Sequence, residues 1–419
     1  MCKKIIFIML YTIVLLVSSG KITFGQERIE KIGQKGLLFV SIDELQPITS
    51  FDLSTDRNTI AVSTSDGQGV YLYSLRDLKI SNLLTGPKRF AREIKFSPDN
   101  KLVACGDDAG LVWVWSTADG KLMKSIKAPI DSSFSQIHSI TFSNDGNSLA
   151  IGTADLKAFV FDTRTWQQTH ILEHNSNVTS VRYSPDDSKL AAGTRYISPA
   201  IRNNMPVILH NGRIALWDLK TKSQLYDFPK IRVGDSIVSA VTFSPDGHMI
   251  AGGNADGEIG IWKVDDGSLI TNLKKHSRQI NDLSFSHNGL LLGSASSDSN
   301  VIVWDIRQSS PLKEFKLNGK AWSIAFWQED KVLNISDDKG ISFYSISDGK
   351  QLCRLLFLKG GKFIIYTPEG YYETDAIDRL QVKEGTQQTS IKESFLSRSI
   401  VLNSLSGKNV HLEIEKRKK

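Results

Sequence analysis

A block of about twenty residues returns seven times along the 419-residue chain, and no other feature restricts the fold as much. The clearest copies are IKFSPDNKLVACGDDAGLVWVW from Ile94, ITFSNDGNSLAIGTADLKAFVF from Ile140, VRYSPDDSKLAAGT from Val181, VTFSPDGHMIAGGNADGEIGIW from Val241 and LSFSHNGLLLGSASSDSNVIVW from Leu283. Weaker copies start at Phe51 and Ile324. Each has an anchor at Leu53, Phe96, Phe142, Tyr183, Phe243, Phe285 or Phe326, and successive anchors are 43, 46, 41, 60, 42 and 41 residues apart. One insertion aside, the period is that of a unit that cannot bury its apolar surface alone and must stack on its neighbours.

Within a copy the pattern is that of four short strands. Val238–Phe243 alternates apolar and polar residues, as a half-buried strand does. Ser-Pro-Asp-Gly then supplies a tight turn. A second strand follows, and Asp-Gly turns into a third that ends on Tyr73, Trp115, Phe161, Trp217, Trp262, Trp304 or Tyr344. Gly-Lys-x-Leu, as at Gly349–Leu352, opens a fourth. Four-stranded units packed radially make an all-β propeller. Seven blades are preferred over eight. Tyr366 lies 40 residues beyond Phe326 and Gly36–Ile42 would suit an eighth blade, but Gly385 stands where that blade needs its aromatic. An innermost strand at Phe363–Tyr366 would reverse the preference.

Trp217-Asp218 and Trp304-Asp305, with the FSPDG and ADG turns, resemble the WD-repeat family over about residues 45–350. The resemblance implies a structural polar network in the sixth copy, made of His276, Ser296, Asp298 and Trp304. The fourth copy keeps His174 and Trp217 but has Tyr196 in place of the Asp, and the fifth has Gly234 in place of the His. The tail from Gly361, GKFIIYTPEGYYETD, resembles one that follows exported or multidomain bacterial WD propellers. The expected organisation is therefore a propeller over residues 36–358 and a C-terminal extension over 359–419. The extension is read as a β-hairpin with a short helix near Ser394–Ser404 and a basic end.

The other end reads as a secretory signal over residues 1–25. Lys3 and Lys4 precede an apolar run, Ile5–Val17, broken only by Thr12. Cleavage fits after Gly20 or Gly25, with a retained anchor as the alternative. The run is shorter than the ~20 residues that span a bilayer, so no membrane insertion is expected once the signal is removed. The charge of +6 is concentrated at the two ends and carries no nucleic-acid footprint. Cys105 and Cys353 read as buried free thiols.

Catalytic templates find little. His170 and His174 have metal-pair spacing but fall on a strand and loop rather than a helix. There is no Gly-x-Ser-x-Gly elbow and no phosphate-binding Gly loop. No metal, cofactor or catalytic residue is therefore assigned. The one non-repeating feature is an insertion of about 15 residues at Tyr196–Asn211, by comparison of anchor spacings in the repeat. It reads either as a loop packed on its own propeller or as a partner-binding protrusion, with Ile197, Ile201, Met205 and Ile208 as candidate contacts. It should project on the face that carries His174 and His276. The leading expectation is a non-catalytic protein-interaction scaffold, exported to the bacterial periplasm or exterior, with protein partners. The alternatives are a propeller enzyme of lactonase or quinone-dependent dehydrogenase type, and a regulatory partner of a separately encoded effector.

Overall fold

The computed structural model describes residues 29–32, 38–41 and 45–390, with short interruptions at 65–66, 77–78, 88–90, 130–135, 203–204, 229–236, 328, 369–371, 375–379 and 385–386. Side chains are described within 45–195 and 212–368. The signal region and Ser394–Ser404 lie outside the described residues.

Seven antiparallel sheets follow one another, each beginning with its innermost strand: Ile48–Leu53, Ala91–Phe96, Ile137–Phe142, Asn177–Tyr183, Val238–Phe243, Ile280–Phe285 and Ser323–Trp327. These are blades 1 to 7 of a propeller. Second strands such as Leu102–Asp107 and Met249–Asn254 are buried almost throughout, because a blade covers each face. Fourth strands such as Leu122–Lys127 and Ser223–Phe228 are mostly exposed. The packed faces therefore read as apolar runs, and strict alternation is left to strands with one wet face.

Blade 7 has six strands. After Gln351–Leu358 a turn at Lys359–Gly361 returns the chain as Lys362–Tyr366, then Tyr372–Thr374. Phe363–Tyr366 is thus the fifth strand from the axis, which agrees with seven blades. Its apolar residues help to close the ring: the Tyr73 ring of blade 1 meets Phe363 edge-on at 4.7 Å and Phe357 at 6.4 Å. Ile48 and Phe51 share that core with Trp327, Phe343 and Cys353. Cys105 and Cys353 are buried free thiols. A separate sheet joins the two chain ends in the order Ile29–Ile32, Leu38–Ser41, Leu380–Glu384, Gln387–Ser390.

Neighbouring blades are fitted together by small residues. The residue on the second strand opposite the fourth-last residue of the first strand is Gly106, Gly152, Gly193 or Gly253 in blades 2 to 5. A β-carbon there would lie 2.4, 2.9, 3.0 and 2.5 Å from Ile137, Val178, Val238 and Ile280 of the following blade. In blades 1 and 6 the position holds Ser63 and Ala295, and the following blade offers Ala91 and Ala321. Bulk on one side is matched by space on the other.

The first turns, at the opposite end of the blades, show a second matching. Ser-x-Asp turns are closed by hydroxyl–carboxylate bonds, as from Ser97 to Asp99 at 2.7 Å. Where the middle residue has an N–H, the next blade supplies an acceptor. Thr55 N–H donates to Asn100 Oδ1 (2.8 Å), Asn144 N–H to Asp187 Oδ1 (2.7 Å) and His287 N–H to Asp330 Oδ1 (2.8 Å). Where the middle residue is Pro98, Pro185 or Pro245, no N–H needs a partner, and the next blade packs Gly146, Gly247 or Gly289 against the ring.

Candidate functional site at the channel mouth

Innermost strands have one open edge, and backbone groups there need partners from outside the sheet. The fourth-last residues of these strands, three before the closing anchor, form a ring around the channel that supplies them to the next blade. Ile94 N–H donates to Ser50 Oγ (3.1 Å), Ile140 N–H to Glu93 Oε2 (2.8 Å), Val181 N–H to Ser139 Oγ (3.0 Å) and Ile324 N–H to Asp282 Oδ2 (3.1 Å). Blade 5 has Ala240 at this position and can offer nothing. The N–H it leaves, that of Leu283, donates to Asp282 Oδ1 of its own strand at 2.9 Å.

In blades 1 to 6 the register of the first strand shifts just before this ring. Such bulges re-aim a side chain. The bulged residues, Thr49, Arg92, His138, Thr179, Ser239 and Asn281, line the channel mouth together with Trp322 of blade 7. The channel holds a cavity of about 520 Å3. Within it Arg182 pairs with Glu93 at 3.0 Å, and Lys95 lies 3.5 Å from Asp52 and 3.8 Å from Glu93. Burial pushes the Asp52 carboxyl above its ordinary range against the pull of Lys95. For Glu93 burial pushes the same way, but Arg182 and Lys95 together carry it below that range. At the rim Arg92 is ion-paired with Asp108. Trp322 is 38% exposed; its Nε1–H donates to Asp338 at 2.6 Å, and the Lys320 ammonium lies 5.4 Å from its ring. A half-exposed, oriented tryptophan is a common binding anchor.

In blade 6 the polar network forms with one change of member. His276 Nδ1 contacts Asp298 Oδ2 (3.0 Å), His276 Nε2 contacts Ser294 Oγ (2.8 Å), and Trp304 Nε1–H donates to Ser294 Oγ (2.8 Å). Ser296, expected here from the sequence, is not the hub; its hydroxyl donates to Arg278 O at 3.0 Å. The two serines share one face of the strand, but Ser294 lies two residues further into it, within reach of both rings. Burial lowers the His276 pKa despite Asp298, so the neutral ring donates from Nδ1 and accepts at Nε2. Ser294, His276 and Asp298 have the order of a hydrolytic triad, but Ser294 is fully buried and already accepts from Trp304. The arrangement holds a blade together and presents no nucleophile.

The family model for the WD domain, G-beta repeat, matches residues 79–116, 166–218 and 267–305, and that for the anaphase-promoting complex subunit 4 WD40 domain matches 205–281. The chain is a WD-repeat β-propeller. Over 204 residues it is 24% identical to the eukaryotic translation initiation factor 3 subunit I of Homo sapiens and of Pongo abelii, and 23% identical to that of Xenopus laevis. The shared stretch covers 48% of this chain and 58% of each relative, little more than half their length.

The propeller carries a depleted version of the network in blade 4. His174 meets Trp217 edge-on at 5.4 Å. Ala192 stands where blade 6 has Ser294, and His174 Nε2 and Trp217 Nε1 have no partner among the described residues. Burial brings the His174 pKa down to about 4, with Asp227 opposing. The unfolded chain therefore binds this proton more readily, so stability is lost as pH falls from about 6.5 towards 4. A His174→Phe variant should lose part of that dependence while melting normally at pH 7.5. Equal slopes of melting temperature against pH in both proteins would rule His174 out as a contributor.

The insertion in the WD propeller is a β-ribbon. The second strand of blade 4 runs through Lys189–Arg202, and Met205–Asn211 pairs back from Arg202/Met205 to Tyr196/Asn211. The ribbon leaves the blade beyond the Asn177/Arg195 pair, at the end where His174 enters. That is also the end of the channel mouth. Of the four expected contacts, Ile197, Ile201 and Ile208 fall in one alternation class of the ribbon and Met205 in the other. His170 Nε2 contacts Leu219 O at 2.8 Å, and no cluster of three or more metal-ligating side chains occurs among the described residues. The channel ring and Trp322 went unread in the sequence, although a polar residue three before the anchor recurs in every copy except the fifth, which has Ala240.

Proposed function

We propose that this propeller is a non-catalytic scaffold for protein–protein contacts, working after export in the bacterial envelope or outside the cell. Its docking surface is the rim shared by the ribbon and the channel mouth. The observation that carries this reading is the ribbon. Its seven residue pairs continue the blade for about 23 Å, at ~3.3 Å per residue, on the face where Trp322 stands. A long excursion from an otherwise regular repeat is a usual place for function. The relatives, each a subunit of a larger factor by its name, support an assembly role. Export is supported by the pattern at Lys3–Gly25.

Shortening Ile197–Leu209 to a glycine-containing turn tests the reading. The variant should melt as the parent does and lose partners that the parent captures from its native envelope fraction. A normally melting variant that still captures them would overturn the assignment.

A further inference from the structure

The ribbon exposes two strand edges. On the inner side Tyr196–Arg202 continues past Arg195, where pairing with Asn177–Tyr183 stops. On the outer side Met205–Asn211 precedes Ile214, where pairing with Ser223–Phe228 starts. No strand among the described residues pairs with either edge. Segments such as Pro206-Val207-Ile208-Leu209 are apolar and β-prone, and an open edge of that composition is a template for addition of another strand.

The register shows which backbone groups point outward. Arg202 pairs with Met205, with only two residues between them in the sequence. In such a hairpin the closing pair exchanges hydrogen bonds, and every second pair below it does the same. Arg202/Met205, Ala200/Val207 and Ser198/Leu209 therefore hold the ladder. Ile201/Pro206, Pro199/Ile208 and Ile197/His210 direct their N–H and C=O groups away from the partner strand. Both prolines fall in this outward class, one on each strand. Each removes a donor from an open edge and puts a ring carbon in its place, while the ladder loses nothing.

We propose that Pro199 and Pro206 guard the two edges of the ribbon and prevent a second copy of the chain from adding to it as a strand. An incoming strand on the inner edge finds donors at Ile197 and Ile201 but an obstruction midway between them. On the outer edge it meets one at the tip. Self-association is blocked in this way whether or not the ribbon holds a partner, and any partner is left to engage the faces of the ribbon.

The test compares the full chain with two double variants by sedimentation velocity and thermal melting. Pro199→Thr with Pro206→Thr restores both donors on β-favouring residues. It should melt as the parent does and move from monomer to dimer and larger species over a tenfold rise in concentration. Pro199→Lys with Pro206→Lys restores the donors but places charge on both edges, which opposes pairing, and it should stay monomeric. A threonine pair that stays monomeric overturns the proposal. So does a parent that already self-associates in a way that ribbon shortening abolishes, or a lysine pair that associates as strongly as the threonine pair.

Discussion

Gly253→Ala should lower the stability of the propeller by about 1–3 kcal/mol, the usual range for overpacking a close-fitting interior. The new β-carbon would stand 2.5 Å from Ile280 Cγ2 and 2.6 Å from Ile280 Cβ. The second of these is fixed to the backbone of blade 6 and cannot swing aside. Because Gly253 lies outside the left-handed region, the cost is one of space between blades rather than of backbone strain. Ile280→Ala should cost about 2–5 kcal/mol by leaving a cavity. The double variant recreates the Ala295/Ala321 pairing found between blades 6 and 7, and should be more stable than the sum of the two changes by at least about 1 kcal/mol. Urea unfolding of the four proteins measures this. Additive losses would show that the glycine is not fitted to Ile280.

Ser294→Ala should be the most damaging single-oxygen deletion in blade 6. It leaves Trp304 Nε1–H and His276 Nε2 buried without their partner, each at about 1–3 kcal/mol. His276→Ala should fall in the same range, because Ser294 and Asp298 are left facing each other across a gap. Ser296→Ala removes the hydroxyl bond to Arg278 O and the longer one accepted from Asp298 N–H at 3.2 Å, touches neither ring, and should cost about 0.5–1.5 kcal/mol. The contrast between the two serines is the informative measurement. Equal losses at Ser294 and Ser296 would mean that the ring contacts of Ser294 contribute nothing. Blade 4 already has the alanine, as Ala192, so Ala192→Ser should move the other way and raise the melting temperature.

The strands, their order and the number of blades are legible in the sequence because they follow from local periodicity: the Phe anchors, the Ser-x-Asp turns and the closing aromatics recur at fixed offsets. Three things are not legible, for three different reasons. Ser294 and Ser296 share one strand face, so alternation cannot separate them, and only their level relative to His276 does. The channel ring depends on a bulge, and the residue pointing inward after a register shift is not the one that simple alternation selects. The ribbon was visible as extra length, but its form was not. The pair of asparagines at 203 and 204 between two β-prone runs is a hairpin signal of the two-residue type, but a short one beside an excursion of that length.

The turn pairings between blades decide which parts could be interchanged. A blade before a glycine must present a proline, and a blade before Asn100, Asp187 or Asp330 presents an N–H to be capped. Among blades 1 to 6 only blade 5 has both halves of the proline–glycine fit, Pro245 on its leading side and Gly247 on its trailing side. It also has Gly253 to receive Val238 of a following copy, as Gly193 does now. Blade 5 is therefore the one unit among blades 1 to 6 whose tandem duplication would meet its own copy without a mismatch at these contacts. The other five are tied to their places by their neighbours, so the ring grows by one module and resists reshuffling of the rest.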